Sequence, residues 1–153
     1  MSERIGAPIV SFCRLDEREV LDRTPVDEPD CIILMDPTLL DTANVFQGLK
    51  RKGFVLINSS KSWDALRISS HVAHLPAGHV VGLNANGLAR QHIGQAIPNS
   101  ALLGAFAAIT KEIHLDALES AISAKFGGRM AAGNIVAARA AHAATHRQHL
   151  VSA

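Results

Sequence analysis

The sequence predicts an α/β domain, a three-layer α/β/α sandwich around a mostly parallel, mixed sheet. Three observations carry this. Two short apolar runs, 31–36 and 54–58, have the length, β-branched content and turn-rich borders of buried strands. Between them, Leu39, Leu40, Ala43, Phe46 and Leu49 recur at mostly helical spacing. Strand, helix, strand in that order is the pattern of a parallel βαβ unit. Finally, the last third of the chain is rich in Ala and Leu and reads as helix throughout.

Taken in order, residues 8–15 (PIVSFCRL) alternate loosely and predict a strand, with a short returning strand at Glu19 to Leu21 beyond a polar turn. The stretch from Val26 to Leu40 places the apolar run Cys31 to Met35 between two acidic, proline-marked turns, as expected of a strand buried on both faces. Pro37 keeps Asp36 out of helical geometry and presets the exit turn. A helix over 38–49 follows, with Gly48, Lys50 and Gly53 as its stop signals. The second strand ends in Asn58-Ser59-Ser60-Lys61. Residues 71–75 and 79–83 are weaker strands around the Pro76-Ala77-Gly78 turn, and Asn84 to Ile93 is a short helix. Asn99 or Ser100 is placed to cap an apolar helix reaching Thr110, which should be buried because it is apolar almost all round. Asp116 with Glu119 forms a capping-box pattern, Leu118, Ile122 and Phe126 share one face, and Gly127-Gly128 end that helix. A final Ala-rich helix runs from Ala131 to about His149. With no internal repeat and no low-complexity linker, residues 1–153 form one domain.

Composition narrows the function classes. At 48% hydrophobic but 4% aromatic, the core must be built from Ala, Leu, Ile and Val. A formal net charge of +1 gives no footprint for nucleic acid or an anionic membrane surface. No apolar stretch approaches the roughly eighteen residues of a membrane span. The start, MSERIGAPIV, lacks a signal peptide's basic and apolar regions. The two cysteines, Cys13 and Cys31, form no CxxC, so no cluster or zinc framework is expected and a cytoplasmic setting is.

His142, His146 and His149 fall at i, i+4 and i+7 on one helix face, a spacing zinc can bridge. They sit in a polar tail without a carboxylate to orient them, so a solvated helix end is the better reading, and His71, His74 and His79 fare no better. No metal site and no catalytic residue is assigned. Ser59-Ser60-Lys61 after a strand offers hydroxyls, an amine and backbone N–H groups to a phosphate, or is simply a polar loop. Asn99-Ser100 has the same duality between cap and anion contact. Arg4, beside Gly6, is the most suggestive cation. No acid/base pair, Walker loop or nucleophile elbow is present, so these residues name no reaction.

The ordered string of motifs does more. Glu3-Arg4-Ile5-Gly6-Ala7-Pro8 resembles the ERRGAP stretch of the gamma subunit of 2-oxoacid:ferredoxin oxidoreductases, the pyruvate synthase group. Glu28-Pro29-Asp30 through Asp36-Pro37-Thr38-Leu39-Leu40 resembles that family's EPD…DPTLL strand, and Asn58-Ser59-Ser60-Lys61 its NSSK turn. The segment from Pro98 to Phe106 is similar to its PxxNTAMLGAF helix, and the Leu118 to Gly128 helix and Asn134-Ile135 follow in order. One departure stands out: the family's strand, glycine-rich GxGGQG-type loop and helix ahead of the ERRGAP stretch have no counterpart here, so the domain reads as N-terminally short. An open sheet edge is a liability, and the chain expressed alone is expected to be unstable or to aggregate.

The resemblance implies a subunit that assembles with alpha, beta and delta subunits. The complex would convert a 2-oxoacid and coenzyme A to acyl-coenzyme A and CO2, using thiamine diphosphate, Mg and [4Fe-4S] clusters, with electrons passing to ferredoxin or an NAD-linked acceptor subunit. None of these cofactors is expected to be bound by this chain alone. It further implies a structural, coenzyme A-contacting role here: Arg4 and Gly6 in the ERRGAP-like turn, Asn58, Ser59 and Lys61 in the NSSK turn, and Asn99 and Ser100 at a helix start. The alternative is a purely structural subunit without ligand contact.

Overall fold

The computed structural model describes the backbone of residues 8–152 and the side chains of 8–148. Arg4, Gly6 and the side chain of His149 therefore lie outside the described residues. The elements are β1 (Cys31–Leu34), β2 (Phe54–Ile57), α1 (Ser69–Val72), β3 (Val80–Gly82), α2 (Ala85–Ile93), α3 (Asn99–Thr110), α4 (Leu115–Lys125) and α5 (Gly128–Ser152), with a 3-10 turn over Pro37–Asp41. The sheet has the order β1-β2-β3 and both pairings are parallel.

Strand β2 is central, and its sequence explains why. Val55, Leu56 and Ile57 are all fully buried, as a strand covered on both faces requires. Leu56 joins Val81 of β3 and packs against Leu102, Ala105 and Ile109 of α3 and Ala137 and Ala141 of α5. Val55 and Ile57 face the other way, onto Leu34, Ile68 and Val72, with Leu39, Phe46 and Trp63 around them. The sheet is thus sandwiched between two apolar clusters, and each buried aliphatic side chain stabilises the fold by about 1.5–3 kcal/mol.

The helical layer depends on small residues. In α5, Ala131, Asn134, Ala137, Ala138 and Ala141 are buried and recur on one face. A Cβ on Gly104 of α3 would lie 2.1 Å from the backbone oxygen of Ala138, so the two helices approach to backbone contact. Gly133 plays the same part against α2, where a Cβ would fall 2.6 Å from the His92 oxygen. Helix α4 closes the layer through Leu118 and Ile122 against Ala138, with Phe126 beside them.

Several expectations are corrected. Residues 8–15 and 19–21 form no strands: neither segment has a ladder partner among the described residues, and Ile9 and Leu21 remain 83% and 78% exposed. Arg14 instead pins the segment to itself, donating to the Thr24 and Pro25 carbonyls and pairing with Asp22 at 3.3 Å. β1 is an edge strand, shorter than expected, and Ile33 is exposed rather than buried, while α3 packs on β2 and α5 on β3. The strands among the described residues are all parallel, in keeping with the mostly parallel sheet expected. The helix over 38–49 contracts to the 3-10 turn Pro37–Asp41; the Thr42 hydroxyl turns back to the Leu39 carbonyl, and the chain continues as turns. Its apolar residues still reach the core. Residues 71–75 are not a strand, since Ser69–Val72 is the short helix α1. The residue before α3 is Pro98, and neither Asn99 nor Ser100 caps it.

The expected capping box is absent too: α4 starts after His114, which puts Asp116 inside the first turn, and Glu119 is paired elsewhere. Arg139 of α5 donates from Nε and Nη2 to its two oxygens at 2.5 and 2.6 Å, a bidentate pair that joins α4 to α5. The hydrogen bonds from Arg139 hold the Glu119 carboxyl below its usual range. Its folded-state pKa is depressed, so the pair stabilises above the unfolded value and that contribution is lost as pH falls through the folded one. Glu119→Gln is therefore expected to flatten the decline in melting temperature below about pH 4.3; an unchanged slope would show the pair contributes nothing.

Candidate functional site

In an open parallel sheet the carboxyl ends of the strands form the natural ligand edge. Here that edge is organised by Asn58, 7% exposed at the end of β2. Its Nδ2 donates to the Met35 carbonyl at 3.0 Å, just past β1. Its Oδ1 accepts from the Ala85 and Asn86 amides at 3.0 and 3.4 Å, the start of α2. One side chain thus ties β1, β2 and α2 together. Asn84 caps α2 by accepting from the Gly87 amide at 2.9 Å. The first amides of α2, which otherwise attract anions, are therefore satisfied from within the protein.

The turn after Asn58 is held close to β3. A Cβ on Gly82 would lie 2.8 Å from the Ser59 oxygen and 3.0 Å from the Trp63 ring. The Ser59 hydroxyl accepts from the Lys61 amide at 3.1 Å, which shapes the turn. The Lys61 side chain is exposed and has no ion pair among the described residues.

At the start of α3, Ser100 is buried and donates from Oγ to Asn134 Oδ1 at 2.7 Å, while Asn134 Nδ2 donates to the Met130 carbonyl at 2.8 Å. Ser100 is thus an interhelix pin to α5. Asn99 is exposed. The two expected groups are not brought together. Asn58 bonds the first residues of α2, whereas Gly133, next to Asn134, packs on His92 at the far end of that helix. The nine residues of α2 span roughly 13 Å, too far for one phosphate to touch both.

The other candidates resolve as follows. Asp36 accepts from the Thr38 amide and hydroxyl at 3.0 and 2.7 Å; these bonds lower its pKa, and the exit turn of β1 is a scaffold. The His142 and His146 rings stack 6.4 Å apart, and His79 stacks on Phe54 at 4.1 Å with Nδ1 3.1 Å from the Lys52 carbonyl. Among the described residues, no three His, Cys, Asp or Glu side chains form a group able to hold a metal. Burial pushes the Cys31 thiol up to about 12, so it stays protonated and inert. Among the described residues, no helix is long and apolar enough to cross a membrane.

The sequence reading missed a second feature, on the sheet face opposite α3 and α5. A cleft of about 640 Å³ lies between residues 40–46 and 66–71. Arg67 on its wall has φ +58. The Arg67 amide bonds Asp64 and the Ile68 amide reaches back to the Trp63 carbonyl at 3.0 Å, a helix-end turn in which glycine is usual. A side chain there costs roughly 1 kcal/mol. Nothing in the surrounding LRIS sequence announces it.

Comparison with known proteins agrees with the motif order. The family model for pyruvate ferredoxin/flavodoxin oxidoreductase matches residues 1–144. The pyruvate/ketoisovalerate oxidoreductases common subunit gamma of Thermococcus kodakarensis is 36% identical over 139 residues, covering 91% of this chain and 74% of that one. Pyruvate synthase subunit PorC of Methanocaldococcus jannaschii is 34% identical over 140 residues, covering 92% and 73%. The crystal structure of pyruvate oxidoreductase subunit PORC from Thermotoga maritima superposes with a TM-score of 0.65 at 28% identity, covering 77% of this chain; the chain spans 64% of that structure's length. The gamma-subunit resemblance, the parallel sheet with its helical layer and these matches agree: the chain belongs to the pyruvate ferredoxin/flavodoxin oxidoreductase family.

Proposed function

We propose that this chain is the gamma-type subunit of a multi-subunit 2-oxoacid oxidoreductase and contributes contacts to coenzyme A without performing chemistry. The family match over residues 1–144 carries the reading. The complex would turn a 2-oxoacid, pyruvate by default, and coenzyme A into acyl-coenzyme A and CO2, passing electrons to ferredoxin or an NAD-linked acceptor in the cytoplasm. Alpha, beta and delta subunits would be its partners. Thiamine diphosphate, Mg and [4Fe-4S] clusters would reside on those chains. The donor set here does not fit a cluster: there are two cysteines, and the Cys31 thiol is held protonated by burial.

For coenzyme A, the candidates divide by availability. Asn58 and Ser100 spend their side-chain hydrogen bonds on the scaffold, so their role is to position neighbours. Lys61 and Asn99 are exposed, and Arg4 and Gly6 complete the set through the resemblance. An elongated ligand with separated phosphates suits contacts at both ends of α2, because ammonium and guanidinium groups both bind phosphate. The commitment of Asn58 and Ser100 to the scaffold also favours the second reading, a structural subunit with no ligand contact.

Steady-state kinetics of the assembled enzyme separate the two. Arg4→Ala and Lys61→Ala should each raise KM for coenzyme A about tenfold, the worth of one charge-assisted hydrogen bond, leaving KM for the 2-oxoacid unchanged. Unaltered coenzyme A kinetics in both variants would establish the structural reading.

A further inference from the structure

We infer that the cleft between residues 40–46 and 66–71 binds a small aromatic carboxylic acid, with Arg67 holding the carboxylate. The inference is independent of the coenzyme A contacts, which lie on other residues. The cleft's volume of about 640 Å³ is within the range of small-molecule sites. Its lining divides into an apolar part, including Leu40, Val45 and Leu66, and a polar part that includes Thr42, Asn44 and Arg67. The Phe46 and His71 rings, both on the lining, stack on each other 5.6 Å apart at 29° and add aromatic surface beside which a planar body can pack.

Arg67 is the discriminating residue. Its left-handed backbone suits glycine, yet the position carries a long cationic side chain that makes no hydrogen bond or ion pair among the described residues. Asp41 lines the same cleft without pairing to it. A planar guanidinium beside apolar surface matches a carboxylate with a hydrophobic body. The Asp41 carboxylate disfavours a dianion through like-charge repulsion, so phosphate alone is the poorer ligand.

The test uses hydrogen exchange read by mass spectrometry on the full chain in its purified assembly, with benzoate as probe and inorganic phosphate as comparison. Benzoate is expected to protect peptides covering 40–46 and 66–71 and no others in this chain. Arg67→Gly should abolish that protection while leaving the melting temperature equal or higher, because glycine relieves the backbone. Arg67→Lys, which keeps the charge but not the fork, should weaken it about tenfold. Protection that survives Arg67→Gly, protection by phosphate as strong as by benzoate, or no protection at benzoate concentrations that saturate other carboxylate sites would each overturn the assignment.

Discussion

Gly104→Ala is expected to destabilise the helical layer by about 3 kcal/mol, the upper range for overpacking a close contact. The added methyl would sit 2.1 Å from the Ala138 oxygen, which belongs to backbone and cannot rotate away. The only relief is separation of α3 from α5. That separation loosens Leu102, Ala105, Ala137 and Ala141 against Leu56 and Val81 together, because they form one cluster. A domain with a total stability of about 5–15 kcal/mol loses a large share this way. Amides in α3 and α5 should exchange with solvent about a hundredfold faster, the equivalent of roughly 3 kcal/mol. Gly127→Ala is the control: a Cβ there meets nothing within 4 Å, and exchange should change little. Equal effects from the two substitutions would contradict the close packing of α3 on α5.

The second large effect is expected at Asn58. Asn58→Ala leaves the Met35 carbonyl and the Ala85 and Asn86 amides without their partner. Unsatisfied buried groups cost about 1–3 kcal/mol each, and water entering the vacated space recovers part of this, so a net loss of about 3 kcal/mol is expected. Asn58→Asp keeps the acceptor for the α2 amides but removes the donor to Met35. It should be less damaging than alanine, since the helix start favours a carboxylate. Exchange at residues 85–87 should therefore rise strongly in the alanine variant and weakly in the aspartate one. If Asn58→Asp were the more damaging, the bond to Met35 rather than the hold on α2 would be the larger contribution.

Legibility in the sequence followed how local the cause was. β2 announced itself because three consecutive residues, Val55 to Ile57, are buried on both faces. Helices α2 to α5 were visible through composition and periodicity, with the Leu118, Ile122, Phe126 face as expected. Features decided by distant partners were not. Residues 8–15 carry a strand's composition, but a strand needs a neighbour, and none of the described residues provides one. Asp116 and Glu119 fit a capping box locally, but α4 starts after His114 and Glu119 pairs with Arg139, twenty positions on. Asn58, through the resemblance, and Ser100, through its place at a helix start, read as ligand contacts; the bonds that tie them to Met35, Ala85 and Asn134 come from distant parts of the chain and leave no local signal. Lys61 and Asn99 keep their surface positions. The family was legible throughout, because motif order survives errors about individual elements.

The central claim is membership in a working 2-oxoacid oxidoreductase, and its direct test is isolation of this chain under native conditions with an affinity tag. The expected result is copurification of a thiamine-binding chain and a cluster-binding chain, in a complex that reduces an electron-accepting dye only when both a 2-oxoacid and coenzyme A are supplied. Recovery of the chain as a stable monomer, or with partners that show no coenzyme A-dependent dye reduction, would contradict it.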